Sequence, residues 1–200
     1  MPSHEIVAHV DGGSRGNPGP AAYGVTIKTA QGERVTAFAK FLGRTTNNYA
    51  EYQGLLAALE YALRHGYPRL RVFTDSELMA RQISGRYKVR SLDLAPLFEK
   101  ARELIARLDA FSIQHVYREH NREADRLANK AMDDAERGVV PRDVEPPPPP
   151  PGAAAPPGAA TCFTKPLCIS ATFQNGVLHP HTQLPLLDGE ELELEIRRKK

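Results

Sequence analysis

Asp11-Gly-Gly-Ser-Arg-Gly-Asn-Pro-Gly-Pro20 follows directly on the apolar run Ile6–Val10, and its first residue decides how the chain is read. The run before it is alternating and partly β-branched, the pattern of a half-buried strand. Asp11 therefore closes a strand, and the glycines of Gly12–Gly19 supply a turn and let backbone approach a ligand closely. A second strand ends the same way, in Arg71-Val-Phe-Thr-Asp75. Two such strands set both acids at the C-terminal edge of a sheet, where open α/β folds place their ligands. Two more acids belong to amphipathic helices. Glu51 shares a helical line with Leu55, Ala58 and Ala62, and Asp125 shares one with Ala128 and Met132.

Each acid has a local alternative. Asp11 could start an Asp-Gly turn, Glu51 could complete a capping box with Asn48, and Asp75 could cap the helix beside Ser76. Asp125 could be a solvated helix charge. Taken together, four acids from four elements can converge on one point, but only if something cationic holds them. A pair of hard divalent ions suits such a site, and phosphodiester cleavage suits such ions.

The elements between the acids read as a mixed α/β sheet with helices packed on it. Ile6–Asp11, Tyr23–Thr29 and Arg34–Leu42 form an antiparallel meander, and Leu70–Thr74 and Phe111–Tyr117 add two strands. Tyr52, Leu55, Leu56, Leu59 and Leu63 mark a helix that stops at Gly66 and Pro68. Ser76 caps a short helix reaching Ser84, Asp93 caps one over Leu94–Leu108 with Pro96 in its first turn, and Arg122–Glu136 is the last.

The chain has 200 residues, 41% hydrophobic and 25% charged, with a net charge of +2. This suits one ordinary domain with an appendage. Residues 1–143 hold 21 Lys+Arg against 18 Asp+Glu, so setting the four acids aside leaves a basic surface suited to a polyanion. No apolar run approaches the ~20 residues of a membrane helix, and Met1–Val10 lacks a signal-peptide pattern, so the cytoplasm is expected and no membrane partner. Cys162 and Cys168 lack metal-ligand spacing and read as reduced structural thiols.

Composition changes at Pro141. Residues 1–140 form the main domain, and 141–160, with Pro146–Pro151 unbroken, an extended spacer. Residues 161–200 read as a small β module. Ile169–Phe173 and Glu191–Ile196 alternate, and Asn175-Gly176 signals a hairpin turn. A module of this size is expected to self-associate or dock on a protein partner.

Four stretches carry a family resemblance: Asp11–Pro20, then Arg44-Thr-Thr-Asn-Asn-Tyr-Ala-Glu-Tyr52, then Phe73-Thr-Asp-Ser76, then Arg122-Glu-Ala-Asp-Arg-Leu-Ala-Asn129. In this order, across most of residues 5–135, they resemble type 1 ribonuclease H. The resemblance implies a five-stranded mixed sheet flanked by helices. It also implies an endoribonuclease that cuts the RNA strand of RNA/DNA hybrids with two Mg²⁺ (Mn²⁺ substituting), leaving 5′-phosphate and 3′-hydroxyl ends. Asp11, Glu51, Asp75 and Asp125 become the metal-binding catalytic quartet. By the same carry-over, Asp11 bridges both ions, Asp125 serves the ion that activates water, and Glu51 and Asp75 serve the ion at the leaving 3′ oxygen. Gly12, Gly13, Ser14, Asn17, Asn47 and Asn48 are implied to face the minor groove, where 2′-hydroxyls mark RNA. Thr46 and Arg44 are implied to hold a DNA phosphate.

The chain departs from longer bacterial members in having no Trp and a short Ser84–Asp93 segment, with Arg86-Tyr-Lys-Val-Arg90 as a reduced basic contact. It resembles the compact members without the basic protrusion, some of which accept double-stranded RNA. The loop before the last aspartate shrinks to Arg118-Glu-His-Asn121, with His120 the candidate general base or product-release group and Glu119 behind it. His9, alternating with Val10, reads as structural. The tail from Ala171 to Pro180 and beyond resembles small prokaryotic antitoxin-like β domains. The alternative function is a catalytically idle ribonuclease H fold, binding nucleic acid or acting as a scaffold, with an interaction tail.

Overall fold

The computed structural model describes residues 5–139, together with the strand segments 171–174 and 177–180. Two units are distinguished, Met1–Ala160 and Thr161–Lys200. The first is built on a five-stranded sheet. Its strands are β1 (Glu5–Ser14), β2 (Gly19–Thr29), β3 (Arg34–Thr45), β4 (Arg69–Thr74) and β5 (Ala110–His115), in spatial order β3-β2-β1-β4-β5. The first three form the antiparallel meander, while β1, β4 and β5 run parallel. The helices are α1 (Asn47–Arg64), α2 (Glu77–Ile83), α3 (Ala95–Ile105) and α4 (Arg122–Glu136), with a single 3₁₀ turn at Arg118–His120. None of the described helices is long and apolar enough to cross a membrane.

Strand alternation divides the sheet into two faces. Ile6, Ala8 and Val10 of β1, with Val25 and Ile27 of β2, are fully buried in one cluster with Leu55, Ala58 and Leu59 of α1. Burying a leucine in this way contributes about 1.5–3 kcal/mol. The opposite face meets α4, where Ala22 packs on Ala131 and Met132. Parallel pairing aligns Val10 with Thr74, so the next residues, Asp11 and Asp75, lie side by side at one sheet edge.

Three local expectations change. Gly12, Gly13 and Ser14 do not turn; they continue β1, paired with Tyr23, Ala22 and Ala21. At Gly12 the reason is space, since a Cβ there would lie 2.2 Å from the Glu51 backbone nitrogen, so the missing side chain seats α1 against the strand. The α1 cap is Thr46, whose Oγ1 accepts from Tyr49 N at 3.3 Å, which leaves Asn48 inside the first turn and removes the capping-box alternative. Asp93 does not cap α3. Leu94 is the N-cap, already in helical geometry with no side-chain bond, and it is anchored by burial in the core. Ser76 does cap α2, accepting from Met79 N at 3.3 Å.

In the second unit, β6 (Ala171–Gln174) pairs antiparallel with β7 (Val177–Pro180), in a register that sets Gln174 opposite Val177. The spacer 141–160, Cys162, Cys168, the Asn175-Gly176 turn and the Glu191–Ile196 strand lie outside the described residues.

Candidate active site

Asp11 sits inside β1 at 7% exposure, and its carboxyl is pushed up to about 8. Burial is the first cause, followed by the Asp75 charge, a hydrogen bond shared with Asp75, and the charges of Asp125 and Glu51. Glu51, one turn into α1, is pushed up to about 7. Burial again leads, and the Asp75 charge adds to it, while hydrogen bonds from Ser76 and Asn47 oppose it. Ser76 Oγ donates to Glu51 Oε2, and Asn47 Nδ2 donates to Glu51 Oε1 at 2.9 Å. The Ser76 hydroxyl thus caps α2 through its oxygen and steadies a carboxylate through its hydrogen.

Asp75 leaves the end of β4 and accepts from Asn121 Nδ2 at 2.9 Å. Asp125, in the first turn of α4, is paired with Arg118 (Nη2 to Oδ1, 2.5 Å). All four acids line one open cleft of about 290 Å³, together with Gly12, Gly13, Ser14, Arg15, Asn47, Arg118, Ala128, Asn129 and Met132.

The site residues expected from the sequence divide into three groups. Asp11, Glu51, Asp75, Asp125, Gly12, Gly13, Ser14 and Asn47 share the cleft. Asn17 and Thr46 lie outside its lining and meet the start of α1, where Asn17 Oδ1 accepts from Asn47 N at 3.3 Å and the Thr46 hydroxyl is the α1 cap. Arg44, at the exposed end of β3, and the half-buried Asn48 lie outside the lining. His120 also lies outside it. Its imidazole is 68% exposed, with Nε2 3.7 Å from Glu119 Oε1. The loop sends two other residues inward, Arg118 onto Asp125 and Asn121 onto Asp75. Sequence reading passed over both, because an arginine in a charged loop and an asparagine before a helix have ordinary solvent and capping roles.

Among the described residues, no three His, Cys, Asp or Glu side chains form a ready ligand cluster. Arg118 covers Asp125, and Ser76 and Asn47 hold Glu51. The donor set nevertheless fits hard divalent cations. The four acids offer carboxylate oxygens, and burial, with the neighbouring negative charges behind it, raises the proton affinity of two of them, Asp11 and Glu51.

Residues 9–131 match the reverse transcriptase-like family. The chain is also similar to the crystal structure of ribonuclease H1 from Halobacterium salinarum, at 43% identity and a TM-score of 0.63, covering 65% of this chain and 98% of that one. The chain belongs to the ribonuclease H family. A second similar structure is the N-terminal ribonuclease H domain of a Mycobacterium tuberculosis protein, solved as a maltose-binding-protein fusion. It is 43% identical with a TM-score of 0.65, covering 68% of this chain and 99% of that one. The full mycobacterial relative, named a bifunctional protein, is 44% identical over 143 residues, which are 71% of this chain. This chain spans only 39% of that relative's length. A third structure, LC11 ribonuclease H1 in complex with an RNA/DNA hybrid, is 39% identical with a TM-score of 0.63, covering 66% of this chain and 99% of that one. The ribonuclease H fold, with its mixed five-stranded sheet and flanking helices, is the architecture described above.

Proposed function

We propose that this chain is an endoribonuclease that hydrolyses the RNA strand of RNA/DNA hybrids. The observation that carries the reading is the convergence of four carboxylates, from β1, α1, the end of β4 and α4, in one open cleft. Asp11, Glu51, Asp75 and Asp125 would hold two Mg²⁺ ions, with Mn²⁺ as a substitute. When bound, such ions supply a nucleophilic water and neutralise charge on the leaving 3′ oxygen. Water oxygen bonds to phosphorus as the P–O3′ bond breaks, which leaves 5′-phosphate and 3′-hydroxyl ends.

The chain's own groups orient the substrate. Gly13, half-buried in β1, and Asn47 line the cleft and offer polar contacts to a minor groove carrying 2′-hydroxyls, while buried Gly12 seats α1 beside them. Arg118, paired with Asp125 in the cleft lining, offers a positive charge to a substrate phosphate. We assign residues 1–140 to this activity, 141–160 to a spacer, and 161–200 to binding a protein partner or a second copy.

The test is to incubate labelled RNA/DNA hybrid and labelled double-stranded RNA with Mg²⁺ or Mn²⁺, using the parent and Asp75→Asn. Metal-dependent internal cuts in hybrid RNA that end in 3′-hydroxyls, lost in the variant, support the reading. Cutting of the RNA duplex as well widens the substrate class. No cleavage by a folded, metal-bound parent returns the idle binding module.

A further inference from the structure

Asn121 stands between the 3₁₀ turn and α4 and is 1% exposed. Its position is that of a helix cap, yet its side chain makes no capping bond to α4. Its Nδ2 instead donates to Val10 O and to Asp75 Oδ1, each at 2.9 Å. One amide therefore ties the loop ahead of α4 both to the backbone next to Asp11 and to the Asp75 carboxylate. Two acceptors on the NH₂ group also settle which way the amide faces. Its Oδ1 is left buried without a well-aligned donor, and a buried acceptor in that condition is costly.

His9 answers this need. It is half-buried in β1, its ring packs on Phe73 with centroids 5.2 Å apart, and it adjoins Val10, whose carbonyl accepts from Asn121, while strand alternation turns its side chain away from the α1 face that Val10 fills.

We propose that His9 and Asn121 form a positioning pair for Asp75: the imidazole N–H steadies Asn121 through Oδ1, and Asn121 Nδ2 holds the Asp75 carboxylate beside Asp11. The inference rests on the reading of Asp75 as a metal-binding carboxylate. Without that donor, only the hydrogen bond shared with Asp11 sets the Asp75 carboxylate, and a bound ion would have to displace that bond and then order the group. Partners of this kind typically contribute 10–100-fold in metal affinity or activity.

The experiment uses the full chain as parent, Asn121→Ala, His9→Phe and His9→Gln. Mn²⁺ affinity is measured by calorimetry without substrate, kcat and KM on an RNA/DNA hybrid, and Tm without metal. In Asn121→Ala, Mn²⁺ affinity and kcat fall by roughly 10–100-fold while KM stays near the parent's. His9→Phe keeps the packing on Phe73 but loses the N–H, and both quantities drop several-fold. His9→Gln restores a donor and recovers most of the loss. A folded Asn121→Ala with the parent's Mn²⁺ affinity overturns the proposal, as does a His9→Gln no better than His9→Phe. If Asn121→Ala does not fold, the two His9 variants decide the matter alone. A parent that binds Mn²⁺ but cuts no hybrid defeats the proposed function while the calorimetry still decides the pair. A parent that binds no Mn²⁺ defeats both.

Discussion

The two faces of the sheet are held by different physics. On the α1 face, Ile6, Val10, Val25, Ile27, Leu55, Leu59, Leu70 and Val72 form one continuous apolar cluster, each at most 1% exposed. On the α4 face the buried cluster is Ala22, Ala131 and Met132. What brings α4 close is an absent side chain, since a Cβ on Gly24 would lie 2.2 Å from Ala124 O. The helix is further fastened by Lys28 and Arg34 to Glu123, at 3.2 and 3.4 Å, and by Arg15 to Asp133 and Glu136. Glu51 thus rides on the deeply cored helix, and Asp125 on the one held by close backbone contact and surface ion pairs. Stability and the fourth carboxylate are carried by opposite faces, and a strain tolerated by the fold can still disable the site.

The largest effect tests the acids that join the faces. Asp11→Asn reduces hybrid cleavage to background, yet raises the Tm of the metal-free protein at alkaline pH. The sign follows from proton binding. Burial, then the Asp75 charge, pushes Asp11 up to about 8, and burial pushes Glu51 up to about 7, so the folded state binds these protons more tightly than the unfolded one. Their contribution is whole below the unfolded carboxylate range, about pH 4, and is lost as pH climbs through 7 to 8. The metal-free parent therefore melts lower at about pH 9 than at about pH 5, and Asp11→Asn flattens that slope. An Asp11→Asn protein melting below its parent at high pH would break the picture of crowded charge.

Next comes Leu59→Ala in the large cluster, expected to cost about 2–5 kcal/mol in urea unfolding while cleavage per folded molecule stays near the parent's. Gly24→Ala is its counterpart on the other face. Overpacking there costs about 1–3 kcal/mol, but displacing α4 moves Asp125, so cleavage falls by on the order of 10²-fold. If Gly24→Ala proves as destabilising as Leu59→Ala and no less active, the contrast between the faces collapses. The smallest effect is Glu123→Gln. Its pairs with Lys28 and Arg34 are partly exposed, so less than about 1 kcal/mol is lost, and the difference shrinks in high salt, where screening shortens to about 3 Å.

Much of this was legible locally. The period-two alternation of Ile6–Val10, the helical spacing of Leu55, Leu59 and Leu63, and the Ser76 cap each correspond to the element observed. Errors arose where one residue type serves two purposes. Glycines 12 and 13 read as a turn because glycine permits turns, but Gly12 is there for the approach of α1, which no local pattern encodes. Asp93 read as a cap because aspartate favours that position, but burial of Leu94 anchors the helix start instead. In the loop before α4, histidine drew attention for its chemistry, while Arg118 and Asn121 are the residues whose side chains reach the acids.

The sequence alone determined the order of strands and helices and which four acids they carry, because periodicity depends on near neighbours, whereas the continuation of β1 past Asp11 to Ser14 was set by pairing with β2. Only the tertiary structure decided what each acid faces: Arg118 on Asp125, Ser76 on Glu51, and Asn121 on Asp75, pairs separated by 7, 25 and 46 residues. Such contacts are set by how the faces of the sheet are packed, and packing is a property of the whole chain.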